Sequence, residues 1–222
     1  MKLYGHDTSP YVRRVRVLLA EKGLPFERDA DSWTKADAAV LKLNPMLRVP
    51  ALVDGDQALL DSKVIAAYVC ERYPQPPPAP PFGHPPMQAT LWHPEHRWDD
   101  ENTLLAIDAA VDSAINLFLL ELDGISGEGS PYLGRQRERM RSCMTWVEGK
   151  LAGGATFHPG VFAPLDIALI CALQWFQFRS RYPVEDHPNL VRFLTAHKHR
   201  PSIEATHPSL AANAGPPKTP PK

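Results

Sequence analysis

The rhythm of hydrophobic and polar positions changes after Tyr73. Ahead of it, short apolar runs alternate with amphipathic stretches. Lys2 to Tyr4 reads as a short strand. Val12, Val15, Val17, Leu18 and Leu19 then recur at helical spacing up to Gly23, with Arg13, Arg14, Arg16, Glu21 and Lys22 as the polar positions. Ser9 and Pro10 suit the cap and first position of that helix, because proline has no N–H to lose there. Pro25 to Arg28 fits a second strand, and Lys35 to Leu43 a helix that Asn44-Pro45 stops. Two short apolar segments flank Asp54-Gly55 between Arg48 and Leu60, the signature of a hairpin. Asp61-Ser62 opens a further helix with Val64, Ile65, Ala67, Tyr68 and Val69 inward, ending at Tyr73-Pro74. The order β-α-β-α-β-β-α predicts a mixed four-stranded sheet with helices on both faces.

Proline dominates from Pro74 to Pro86, which predicts a stiff, extended linker. Helical periodicity runs through everything after it. Met87 to about Leu122 reads as one long helix kinked at Pro94, and Tyr132 to Leu151 as a second. Gly153-Gly154 breaks the chain. Leu165 to Arg179 is so continuously apolar that it belongs at the centre of a helical domain. Asp166 supplies half of a capping box and Phe162 with Ile167 a hydrophobic staple, but Ala163 stands where the box needs a hydroxyl. Asn189 to Lys198 and Pro201 to Thr206 close the chain as short helices. The expected organisation is a mixed α/β domain over 1–75, a linker over 76–86, an all-helical domain over 87–208 and a disordered Ala/Pro/Lys-rich tail over 209–222.

Composition narrows the function classes. At 222 residues the chain can bury two cores of ordinary size. A formal net charge of −1 gives no electrostatic case for nucleic acid or an anionic membrane. The longest apolar runs, such as Ile115 to Leu122, fall well short of the ~20 residues of a membrane span, and the N-terminus lacks a secretion pattern. The three cysteines (Cys70, Cys143 and Cys171) are far apart with no C-x-x-C pair, which points to reduced thiols and a cytoplasmic location. His93 and His96 with Glu95 have a spacing that could hold a metal. Pro94 interrupts regular helix there and no third ligand is evident, so no metal is expected. His197-Lys198-His199-Arg200 reads as a solvated basic cluster at a helix end, and Trp92, Trp98 and Trp175 as core or pocket wall.

Several short motifs then fall into one order: Ser9-Pro10-Tyr11 with Arg13-Arg14-Val15-Arg16, Asn44-Pro45, Arg48-Val49-Pro50-Ala51-Leu52, and Leu60-Asp61-Ser62 running into Val64-Ile65-Ala66. Their order and spacing resemble the thioredoxin-like domain of cytosolic glutathione S-transferases. The likeness continues through the helical half, to about residue 208, in the manner of bacterial members with serine at the active-site position. The resemblance implies a thioredoxin-like N-terminal domain followed by an all-α domain, a homodimer, and glutathione as co-substrate. It makes Pro50 a cis-proline that leaves the Val49 backbone free to pair with the cysteinyl part of glutathione. Asp61 would face the γ-glutamyl ammonium and Ser62 the γ-glutamyl carboxylate, with Arg48 and Lys35 toward the glycyl carboxylate. Ser9 would donate to the thiolate, with Tyr4 and Thr8 as rival donors. Alone, Ser9 could equally be a helix cap and nothing more.

The implied activity is attack of the glutathione thiolate on a small electrophilic or hydrophobic molecule. A thiol of pKa roughly 8.5 is only about 3% ionised at pH 7. Lowering it by two units takes about 2.7 kcal/mol, which a hydrogen bond to the charged sulfur plus a helix N-terminus can supply. Val12 occupies the second cysteine position of a dithiol motif, so dithiol cycling is not expected. One departure stands out: Leu47 lies where the family has glycine, and a position needing positive φ would strain it. The alternative reading is a non-catalytic protein of the same fold that acts through binding or regulation.

Overall fold

The computed structural model describes residues 1–30, 42–75, 77–79, 84–125 and 129–211. Strands β1 (Lys2–Tyr4), β2 (Glu27–Asp29), β3 (Ala51–Asp54) and β4 (Gln57–Leu60) form one sheet in the order β2-β1-β3-β4. β1 runs parallel to β2 and antiparallel to β3, and β4 returns antiparallel on β3. This is the mixed sheet the sequence predicts. Gly55, at φ 59°, makes the tight turn between β3 and β4. The helix expected over Lys35 to Leu43 falls almost wholly outside the described residues.

Helix α1 (Pro10–Glu21) buries Val12, Val15, Val17, Leu18 and Leu19. Its arginines do not form a solvent face, contrary to the amphipathic reading: Arg13 and Arg14 are both buried. The cause is a second layer. α1 packs on α2 (Ser62–Arg72) on one side and on the central helix α5 (Pro164–Arg179) on the other. Arg13 meets the Gln174 amide oxygen at 2.5 Å and the Ile203 carbonyl at 2.9 Å, so its donors go to the helical half rather than to water.

The helical half contains α3 (Arg97–Leu122), α4 (Pro131–Leu151), α5, α6 (Pro188–His197) and α7 (Pro201–Glu204). The long helix begins at Arg97, not Met87. Residues ahead of it run irregularly, and Met87 forms an isolated parallel bridge with Phe162 that pins the chain beside the start of α5. By length and hydropathy α3 could cross a membrane, with a mean hydropathy of 1.7 over its most apolar stretch. Its apolar stripe (Leu104, Ile107, Ala110, Val111, Ala114) is instead buried in the packed bundle against α4 and α5. α5 is buried almost throughout, as a continuously apolar helix requires.

Three further readings change. His197 and Arg200 are not solvated but almost wholly buried. His197 Nε2 bonds the Ala155 carbonyl at 2.5 Å, and burial pushes its pKa down to about 4. Trp98 is 71% exposed, so it walls no core, whereas Trp175 is buried. Pro208–Leu210, at the expected start of the tail, form a 3₁₀ turn; residues beyond 211 lie outside the described set. All three cysteines are free, with Cys70 and Cys171 buried.

Candidate functional site

The strand register alone brings the predicted residues together. Tyr4, at the end of β1, sits opposite Ala51 at the start of β3, and Ala51 sits opposite Leu60 at the end of β4. The loop to Ser9, the Val49-Pro50 step and the Asp61-Ser62 step therefore leave the sheet along one edge. Gly5, at φ 127°, makes the contact possible. A Cβ there would lie 2.6 Å from Val12 Cγ2 and 2.8 Å from Val49 Cβ, so the turn after β1 can close on the proline loop only without a side chain.

Ser9 caps α1, its Oγ accepting from Val12 N–H at 3.3 Å. A serine hydroxyl that accepts one bond keeps its proton for another partner. Pro10 has no N–H, and Tyr11 N–H finds no acceptor among the described residues, so the open end of the helix presents two donors at one place. Of the rival donors, Thr8 Oγ1 lies 3.0 Å from His6 Nδ1 and, where it accepts from that ring, keeps its proton as Ser9 does. Tyr4 packs with Val49 and Leu60 around Ala51, on the sheet face opposite the buried Leu3.

The Val49-Pro50 peptide is cis. Among the described residues, neither the N–H nor the carbonyl of Val49 pairs with another backbone group, although β3 begins only two residues later. Asn44 shapes the approach to this step. Its side chain accepts from Met46 N–H at 3.0 Å and donates to the Arg48 carbonyl at 2.8 Å, while its carbonyl accepts from Leu47 N–H at 3.0 Å. Leu47 inside this staple sits at φ 53°. The departure from glycine therefore costs left-handed strain, and the cis step is still reached. Arg48 is exposed and pairs with no carboxylate among the described residues. Lys35 lies outside the described residues.

Asp61 is exposed and held at φ 77°, with its Oδ1 accepting from Lys63 N–H at 2.7 Å. A non-glycine residue kept at that angle is the kind of strain that collects at binding sites. Ser62 is buried, and its Oγ accepts from Arg14 Nη1 at 3.2 Å. Arg14 also pairs with Asp108 of α3 at 2.5 Å, which offsets the cost of burying its charge. Tyr11 OH donates to Asp112, one turn further along α3, at 2.8 Å, and burial followed by the two aspartates raises its pKa steeply. Arg14, Asp108, Tyr11 and Asp112 thus dock the N-terminal half onto the helical half. The sequence offers no signal for Asp108 or Asp112, whose importance depends on which helix faces α1.

Comparison with known proteins places the fold in a family. The family description of the glutathione S-transferase N-terminal domain matches residues 3–77, and that of the glutathione S-transferase C-terminal domain matches residues 108–196. An uncharacterised glutathione S-transferase-like protein of Escherichia coli, YibF, is 29% identical over 218 residues, covering 95% of this chain and 100% of that protein. Glutathione S-transferase Z1 of Arabidopsis thaliana is 45% identical over 83 residues, 36% of this chain and 38% of that relative's length. A crystal structure of a Methylobacterium radiotolerans glutathione S-transferase in complex with glutathione sulfonate superposes with a TM-score of 0.76 at 25% identity, covering 93% of each chain. With a thioredoxin-like sheet, an all-helical second half, and both domains of one family recognised in sequence, the chain belongs to the glutathione S-transferase superfamily.

Proposed function

We propose that this protein binds glutathione along the edge formed by Ser9, Val49-Pro50 and Asp61-Ser62, and activates its thiolate for attack on an electrophile held between the two halves. The observation that carries this reading is the convergence of a capped helix start, an unpaired cis-proline step and a strained Asp-Ser step at one end of the sheet. The unpaired Val49 backbone receives the cysteinyl unit as one short added strand. Asp61 takes the γ-glutamyl ammonium and the Ser62 hydroxyl its carboxylate, with Arg14 behind Ser62 as the supporting cation. Arg48 faces the glycyl carboxylate, and Lys35 is assigned the same role from sequence. The Ser9 hydroxyl and the α1 N-terminus stabilise the thiolate. The sulfur lone pair then forms the new bond to the electrophile, and the leaving group, or the added proton, balances the charge.

Two features complete the reading. Val64 on α2 and Trp98 and Leu105 on α3 are large, apolar and about half exposed or more, and the Lys63–Glu101 ion pair at 2.5 Å sets the two helices side by side. We assign this face to a two-fold dimer. Three free cysteines fit a reducing, cytoplasmic setting.

Calorimetric titration with glutathione, followed by a panel of electrophiles, tests the proposal. Ser62→Ala should weaken glutathione binding by ~1–3 kcal/mol, because it removes a partner from a charged, largely buried group. Equal affinity in parent and variant would remove the γ-glutamyl assignment. Tight binding with no turnover on any electrophile would leave the binding or regulatory alternative as the function.

A further inference from the structure

Three imidazoles meet where the segment ahead of α3 passes the loop ahead of α5. One ring nitrogen from each of His93, His96 and His158 lies within 4.8 Å of the other two. The ring centroids are 4.8 Å apart for His93–His96, 4.4 Å for His93–His158 and 5.3 Å for His96–His158. The sequence offered only the first two and lacked a third ligand. The fold supplies it from a distant loop.

We propose that these three histidines form a binding site for a divalent late transition-metal ion, zinc being the natural probe, that clamps the chain entering α3 to the chain entering α5. Imidazole nitrogen suits zinc, nickel and copper, and three histidines with one open position are an established zinc arrangement. Zinc–nitrogen bonds of about 2.0–2.1 Å in a tetrahedron put the nitrogens about 3.3 Å apart, so the cluster must close by about 1.5 Å at most. His96 is exposed and can turn to do so. Turning is required, because His96 now stacks on His158 with an interplanar angle of 10°.

The surrounding groups already hold two of the ligands. Asp100, itself 3% exposed, receives His158 Nε2 on Oδ1 at 2.7 Å and the His93 backbone N–H on Oδ2 at 2.9 Å. A neutral His158 that donates from Nε2 keeps its lone pair on Nδ1, which is the carboxylate–histidine arrangement of metal sites. His93 Nδ1 spends its lone pair on Glu95 N–H at a long 3.3 Å, a weak bond that a metal ion would replace. The loop behind His158 is fixed twice over. Thr156 Oγ1 donates to the His158 carbonyl at 2.7 Å, and Phe157 N–H donates to Asp166 at 3.0 Å. The start of α3 is an unfavourable place for a cation, but Asp99 and Asp100 in its first turn offset that field. Trp92, beside His93, lines a pocket with Arg14 and Ser62, so the clamp lies one residue from the wall of the proposed binding half. None of this depends on glutathione.

The test is calorimetric titration of zinc chloride into the untagged full chain, as parent, His96→Ala, Asp100→Asn and His199→Ala. The parent should take up one zinc per chain, with a higher thermal midpoint when zinc is saturating. His96→Ala changes only an exposed side chain and should lose at least about tenfold in affinity. Asp100→Asn, a positioning change, should lose about 10–100-fold. His199→Ala, an exposed histidine outside the cluster, should bind like the parent. No zinc uptake by the parent, or equal uptake by His96→Ala, would overturn the site.

Discussion

At the scale of single residues, the proposed chemistry rests on Ser9. Its Oγ caps α1 through a long bond to Val12 N–H, a cap whose loss costs about 0.5–2 kcal/mol of helix stability. Ser9→Ala should leave glutathione affinity nearly intact and raise the bound thiol pKa by about one to two units, about 1.4–2.7 kcal/mol. Turnover should then fall at neutral pH and recover as pH rises past the new value. Thiolate absorbance against pH decides the matter, since superimposable curves in parent and variant would reduce Ser9 to a cap and pass the role to Tyr4, Thr8 or the helix end. Ser9, Pro50 and Ser62 were legible in the sequence because each belongs to a short local pattern. Leu47 was legible as a strained position and sits at φ 53°. Arg14 was not, because an arginine at helical spacing reads as solvent-facing until a second layer is known to cover it. His158 was hidden for the same reason: nothing local ties it to His93.

At the scale of elements, α5 shows how a missing cap is replaced. Ala163 offers no side-chain acceptor, but Asp166 takes Ala163 N–H on Oδ2 at 2.7 Å and Phe157 N–H on Oδ1 at 3.0 Å. One carboxylate thereby fastens both the helix start and the loop before it. Complete burial outweighs these two bonds and pushes the Asp166 pKa up to about 7. Because the folded value lies above the unfolded one of about 3.9, the folded state holds the extra proton between them. The stability contributed by Asp166 is full below about pH 4 and falls as pH rises, levelling off above about pH 7, by roughly 4 kcal/mol at most. Urea midpoints across that range should fall more steeply in the parent than in Asp166→Asn. Parallel curves would show that Asp166 is ionised throughout. The bounds of α5 were readable because a wholly apolar helix has no ambiguous face. The start of α3 was misplaced because Met87, Leu91 and Trp92 continue an apolar rhythm that serves a bridge to Phe162 and a pocket wall instead of a helix.

At the scale of the whole molecule, the exposed face of Val64, Trp98 and Leu105 is the dimer surface we expect. Sedimentation should report twice the 24.7 kDa chain at micromolar concentration, and Trp98→Glu together with Leu105→Glu should return the monomer. A monomeric parent would remove the assignment. The order of elements could be read from the chain, but the docking of the two halves could not, since it rests on buried charges that look solvated in sequence. Arg200 is the clearest case. It is 1% exposed, meets Glu21 at 2.7 and 2.5 Å, donates to the Pro85 carbonyl at 2.9 Å and lies 4.1 Å over the Phe162 ring. One guanidinium thus binds the end of the first long helix, the proline stretch and the last part of the chain. The stretch that looked like a spacer is riveted at its far end. Swinging the halves apart would break the Glu21, Pro85 and Phe162 contacts of Arg200 together. A ligand held between the halves, as proposed, would therefore exchange past turning side chains and local loop openings and not by a hinge between the halves.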